Sequence, residues 1–214
     1  MSRALIVGLG IASLLARAGT ASMPSAQPMA IILDTSSYAR SDFQSLRDAV
    51  QSFVERLGPR EIAIYTSGAP ALRAEDFTRD RTRIRRAVAG TFSAPGSTTH
   101  TLETIRRASK DLRRLNAPAA DIVVLSAGGL EMNPPDVQQM LPELHASHAI
   151  LHLVELRTLR RDGKSPRLQR DDSDVFELLS ARTHGQYLHG PSAAVYSSGL
   201  DTIARQLDEQ SRAR

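Results

Sequence analysis

Four short stretches of this chain carry almost no polar side chain, and segments with helical spacing lie between them. The stretches are MAIILD (29–34), EIAIYT (61–66), DIVVLSAGG (121–129) and AILHLVEL (149–156). A run that is apolar at every position, not at alternate ones, belongs to a strand covered on both faces, as in parallel sheets. Between the runs, apolar residues recur every three to four positions. Phe43, Leu46, Val50, Phe53, Val54 and Leu57 mark a helix with Ser41 as its expected N-cap and Gly58 as its stop. Leu102, Ile105, Ala108, Leu112 and Leu115 mark one apolar face of another, and RDRTRIRRAVAG (79–90) reads as a shorter one. Strands alternating with helices imply an α/β fold: a doubly wound, mostly parallel sheet with helices on both faces.

The remaining segments fit that frame. PALRAEDFT (70–78) has sparse apolar residues and opens on proline, so it is expected as an antiparallel edge strand. PPDVQQMLPELHASH starts a helix at proline. RTLRRDGKSPRLQRDD reads as an exposed loop, DSDVFELLSARTHG as a helix stopped by Gly185, QYLHG as a last short strand and SGLDTIARQLDEQ as the terminal helix.

The first residues, MSRALIVGLGIASLLARAG, offer two opposed readings. GLGIAS (Gly8 to Ser13) has the Gly-x-Gly-x-x-small spacing of a dinucleotide loop, and Asp34 at the end of the next apolar run would hold a ribose. That reading makes the chain a Rossmann-like NAD(P)- or FAD-dependent oxidoreductase using Gly8, Gly10 and Asp34. Against it, Arg3 precedes thirteen uncharged residues, Ala4 to Ala16, and Gly19 and Ala21 occupy the −3 and −1 positions of a cleavage site. This is the plan of a signal peptide over 1–21, with an apolar stretch well short of the roughly 20 residues that a bilayer-spanning helix needs. Pro24 and Pro28 also interrupt the segment where a dinucleotide fold needs a helix. Export is therefore the expectation, with 22–28 as linker, 29–212 as one domain, and a periplasmic or secreted location. An uncleaved leader would anchor the chain in the membrane instead; after cleavage no stable insertion is expected.

Composition narrows the function classes. The net charge of +4 falls to +2 without Arg3 and Arg17, so the basic character reflects arginine usage more than excess charge. No cysteine is present, which excludes disulfides, thiol catalysis and cysteine-held zinc. Aromatic residues are only 4% of the chain, too few for a stacking platform for single-stranded nucleic acid, so no nucleic-acid partner is expected.

In doubly wound sheets, ligands sit beyond the carboxyl ends of the strands. Three loops fall there: DTSSY after the first run, APGSTTH before the third helix and SAGG after the third run. In that order they resemble the metal-ion-dependent adhesion site of von Willebrand factor type A domains, over about residues 30–212. THGQYL in the last third resembles the segment leading exported bacterial members into their final strand. The family pattern is Asp-x-Ser-x-Ser, then threonine, then aspartate. Asp34 and Ser36 match the first two positions and Thr98 the threonine, while Tyr38 replaces the second serine and Ala127 the aspartate.

Mg²⁺ takes about six oxygens, commonly with one or two carboxylates. Losing one carboxylate and placing a phenol where a small hydroxyl belongs leaves Asp34, Ser36 and Thr98 as a degenerate metal site. No cofactor, or at most weakly held Mg²⁺, is expected, and Asp34 and Ser36 then serve as loop-capping groups. The resemblance implies a non-enzymatic binding module that meets a protein partner in the cell envelope through loops 34–40, 95–99 and 126–131. Tyr38, Gly96, Ser97, Ser126 and Gly128 are its candidate contact residues. A metal-dependent adhesion domain with a relaxed site is the variant of this reading.

Other constellations have plainer accounts. His145 and His148 lie near a helix end, where the dipole favours a cation, and His152 falls on the next strand. Ser126 with a histidine and Asp34 would form a hydrolase triad, but LSAGG lacks the Gly-x-Ser-x-Gly elbow. Arg106, Arg107, Lys110, Arg113 and Arg114 make one basic cluster, Arg79, Arg81, Arg83, Arg85 and Arg86 a second, and 157–170 a third. They read as solvated faces, with an anionic partner as the alternative.

Overall fold

A computed structural model describes residues 26–128, 134–157 and 168–212. Twelve elements follow one another: β1 (Ala26–Leu33), α1 (Phe43–Arg56), β2 (Arg60–Thr66), β3 (Leu72–Thr78), α2 (Arg81–Gly90), α3 (Thr101–Arg114), β4 (Ala120–Ser126), α4 (Pro134–Ala146), β5 (Ala149–Leu156), α5 (Leu168–Arg182), β6 (Tyr187–Gly190) and α6 (Ala194–Arg212). A 3₁₀ turn, Ser37–Ala39, leads from β1 towards α1. The strands form one sheet in the order β3-β2-β1-β4-β5-β6. Every neighbouring pair is parallel except β2 with the edge strand β3.

Alternation along each central strand divides the apolar side chains between two cores. Met29, Ile31 and Leu33 of β1 pack with α1, α2 and α6 through Phe53, Val88 and Ile203. Ala30 and Ile32 face the opposite side, against Ile105 and Leu112 of α3, Met140 of α4 and Phe176 of α5. Burial on both faces explains why these strands read as continuous apolar runs. No helix among the described residues is long and apolar enough to cross a membrane.

Several boundaries differ from the sequence reading. β1 begins at Ala26, and Pro28 lies inside the register irregularity between Ala26 and Met29, where its missing N–H breaks no regular ladder. Asp42, not Ser41, precedes α1, and Ser41 Oγ donates to Asp42 Oδ2 (2.6 Å). The helix stops at Arg56, with Leu57 already extended, one residue before Gly58. Leu168 to Asp171 are helical where a loop was expected, while 158–167 lie outside the described residues. α6 starts at Ala194, four residues before the expected Ser198.

The face of α3 also needs correction. Leu115 follows the last helical residue and is 41% exposed, and Leu102 in the first turn is half-buried. The buried face is completed by Thr101, Thr104 and Ser109. Thr104 is accommodated because its hydroxyl donates to the His100 carbonyl one turn back (2.9 Å).

Candidate functional site

The reversal of strand order puts the switch point between β1 and β4, and Asp34 is the first residue beyond β1. Its backbone N–H donates to Leu125 O (2.9 Å), extending the β1–β4 pairing by one bond. The side chain is fully buried. Oδ1 accepts the Ser36 N–H (2.9 Å) and Oδ2 accepts the Ala127 N–H (3.0 Å). One carboxylate therefore ties the loop after β1 to the loop after β4. Burial pushes its pKa up from the ordinary aspartate value. The Ala127 N–H, the Ser36 hydroxyl and the Ser36 N–H oppose the rise.

The second loop is stitched to the first as firmly. Ser37 donates to Ser97 O through both its N–H (2.9 Å) and its hydroxyl (3.1 Å). Ser93 Oγ donates to Ser36 O (2.6 Å), and the Ala94 N–H donates to Thr35 O (3.2 Å). The loop after β2 joins through the Gly68 N–H on Thr35 Oγ1 (2.9 Å) and the Ala69 N–H on Ser97 Oγ (2.8 Å). A Cβ on Gly68 would stand 2.5 Å from Thr35 Oγ1, so only glycine permits that approach. From the other side of the sheet's end, Tyr196 of α6 is fully buried and donates to Ser126 O (3.1 Å).

All three loops named from the sequence meet here, but the candidate residues do different work. Asp34, Ser36, Ser97, Ser126 and Gly128 are buried. Ser126 Oγ accepts the Gly128 N–H (3.1 Å), and Gly128 adopts φ +86° in that turn. Tyr38 is half-buried and leans on the α1–α6 core. Gly96 (φ +71°) and Thr98 are exposed, and Thr98 Oγ1 lies 3.3 Å from His100 Nε2. Of the proposed contact residues, Gly96 is open to solvent, Tyr38 partly so, and the serines hold the loops from within.

This donor set does not fit a tight Mg²⁺ site. Both Asp34 oxygens are occupied by backbone N–H groups, Ala127 turns an N–H towards them where a second carboxylate would be needed, and the Thr98 hydroxyl is exposed beside an imidazole. Ser36 Oγ is the remaining oxygen, fully buried and without a hydrogen-bond partner of good geometry among the described residues. Among the described residues, no three His, Asp or Glu side chains gather as a cation site.

The other constellations do not assemble. The Asp34 carboxylate faces inward, so it does not present itself to a ribose, and Gly8 and Gly10 lie outside the described residues. No histidine among the described residues bonds to Ser126 or Asp34. His145 lies in the last turn of α4, His148 has φ +51°, and His152 is buried on β5. There His152 Nδ1 accepts the Gln186 N–H (3.3 Å) and Nε2 lies 3.6 Å from Asp121, which also meets Arg60 (3.2 Å). Sequence reading missed that buried Arg60–Asp121–His152 group, along with Thr35, Ser93 and Tyr196. No local motif marks them, because their partners are 31 or more residues away.

A doubly wound α/β domain with its loops locked around an aspartate at the switch point defines the class of this protein. Residues 29–130 match the family model of the von Willebrand factor type A domain. Those residues therefore belong to a von Willebrand factor type A domain. The fold is similar to that of the conserved hypothetical protein BatB from Bacteroides thetaiotaomicron. That match has a TM-score of 0.67 at 12% identity and covers 88% of this chain and 100% of that one. An aerotolerance-related membrane protein from Bacteroides fragilis matches with a TM-score of 0.66 at 13% identity, over 86% of this chain and 99% of its own. A mutant of the PilB minor pilin from Streptococcus sanguinis gives 0.69 at 10% identity, over 88% and 63%. No curated protein sequence matches the chain. The family consists generally of adhesion and interaction modules, not enzymes.

Proposed function

We propose that the chain is an exported, non-enzymatic binding module that docks a protein partner of the bacterial cell envelope through its loop face, without a divalent cation. The observation that carries this reading is the occupied Asp34 carboxylate. Its two bonds to Ser36 and Ala127 make the loop face rigid by protein contacts alone. A preorganised surface binds without the ordering cost that a mobile one incurs. The leader-like first 21 residues support export. The similar folds of a membrane protein and of a minor pilin agree with an envelope location.

A photo-crosslinking amino acid at Thr98, exposed on the loop face, tests the reading in the native host. Glu209 on α6, exposed at the opposite end of the sheet, serves as the control. The expected result is one protein adduct from position 98, insensitive to chelator and absent from position 209. An adduct that requires added Mg²⁺, or none at position 98, overturns it.

A further inference from the structure

Five arginines surround the start and outer face of α2, and four of them are engaged. Arg79 pairs with Glu61 (3.8 Å), Arg83 with Glu75 (2.6 Å) and Arg85 with Glu55 (3.4 Å), while Arg81 donates to Gly58 O (2.6 Å). Arg86 is exposed and has no hydrogen bond or ion pair among the described residues. It lines a groove of about 420 Å³ between α2 and β3, bounded by Ala74, Glu75, Arg83, Ala87, Gly90 and Thr91. Because Arg83 neutralises Glu75, the charge left over in this groove is the Arg86 guanidinium.

The residue after Thr91 is Phe92, whose side chain is 73% exposed, the most exposed of the large apolar side chains described. Its backbone is held on both sides. Arg47 donates to Ala89 O (2.9 Å) and Thr91 O (3.3 Å), and the Thr91 hydroxyl donates to Val88 O (2.7 Å). On the far side, Ser93 and Ala94 are bonded to Ser36 and Thr35. An aromatic side chain presented to water from a fixed backbone is the pattern of an interface anchor, since little freedom is lost when it is covered.

We propose that the α2–β3 groove and Phe92 form a docking site for an extended acidic segment of a protein partner. Its carboxylates meet Arg86, and an apolar side chain covers Phe92. From Arg83 to Thr91 the groove follows α2 for about 12 Å, the length of about four extended residues. The segment binds through side chains and not as an added strand, because the β3 edge is already capped. Arg107 donates to Ala71 O (2.9 Å), Glu75 accepts the Asp76 N–H (3.1 Å) and Asp76 accepts the Phe77 N–H (2.8 Å). A bilayer surface cannot enter a concave groove, and one phenyl ring is too small an anchor for stable membrane attachment. The site lies beside the loop face and stands whether or not that face binds a partner.

Selection of a random twelve-residue peptide display library on the immobilised full chain, followed by anisotropy titration of the enriched peptides, tests the proposal. Enriched peptides should carry several Asp or Glu residues and at least one large apolar residue. Arg86→Glu, Phe92→Ala and Gly90→Glu should each weaken them tenfold or more, and Arg113→Glu on α3 should leave them unchanged. Gly90→Glu is the fold-neutral blocking variant, because nothing lies within 4 Å of a Cβ built there. Melting curves confirm that each variant is folded. Failure to enrich, enrichment of neutral or basic peptides, or binding indifferent to Arg86→Glu and Gly90→Glu overturns the proposal. So does Phe92-dependent binding to phosphatidylglycerol vesicles with no peptide binding.

Discussion

Replacing Asp34 by alanine would separate the two roles its carboxylate can play. In the fold described, the substitution leaves the Ser36 and Ala127 N–H groups buried without acceptors. An unsatisfied buried donor costs about 1–3 kcal/mol, so the loss should total about 2–6 kcal/mol. Relief of the carboxylate's own desolvation draws the value towards the lower end. That is a large share of a domain stability of about 5–15 kcal/mol. Asp34→Asn keeps one acceptor oxygen and should cost about half as much. Urea titrations in chelator and in excess Mg²⁺ are the assay. A metal ligand would behave otherwise: at ten times its Kd, Mg²⁺ would add about 1.4 kcal/mol to the wild type and nothing to the variant. If Asp34→Ala lies within about 0.5 kcal/mol of wild type in chelator, and the two separate only with Mg²⁺, the latch argument is wrong. The pH dependence gives a second check. The folded-state pKa of Asp34 is raised, so the folded chain binds more protons than the unfolded one just above pH 4. This group's contribution to stability is therefore full below that pH and is lost as pH rises to the folded-state pKa. Subtracting the Asp34→Asn stability curve from the wild-type curve should show that fall, and a rise would contradict it.

Other consequences can be measured with the same titrations. Ser36→Ala removes a buried hydroxyl that has no hydrogen bond of good geometry among the described residues and only a weak interaction with the Asp34 carboxylate, so it should cost about 0.5 kcal/mol or less; a larger loss would mean that the hydroxyl is fully engaged. Ile105→Ala should cost about 2–5 kcal/mol and the exposed Arg107→Ala about 0.5 kcal/mol or less, and equal costs would contradict the α3 face assignment. Asp121→Ala strands Arg60 and His152 beneath α6 and should cost about 3–5 kcal/mol, whereas a loss under 1 kcal/mol would show that the trio is already hydrated. Mass spectrometry of protein from the envelope fraction should find a chain starting at Ser22, and an intact Met1 or Ser2 terminus would refute cleavage.

The sheet was legible in the order of residues because its strands are buried on both faces. Ile31 and Ile32, or Val123 and Val124, are consecutive and both apolar because each belongs to a different core. The helical faces were readable for the same reason, until the ends of an element were reached. There the pattern misled: Leu115 is apolar but lies past the last turn, and Thr104 is polar yet buried because its hydroxyl bonds back to His100. Asp34, Ser36 and Thr98 were identifiable as family positions, and the loss of the second carboxylate at Ala127 was plain from the letters. What became of the carboxylate that remained was not. Whether Asp34 holds a cation or a neighbouring N–H depends on where Ala127 sits, 93 residues along the chain, and on the pairing of β1 with β4. The same limit applied to Arg86. All five arginines near α2 look alike in sequence, and only the positions of Glu55, Glu61, Glu75 and the Gly58 carbonyl decide which one stays without a partner. Periodicity is a local property, set by which face of an element meets a core. Occupancy of a polar group is not local, because its partner is chosen by the packing of distant segments.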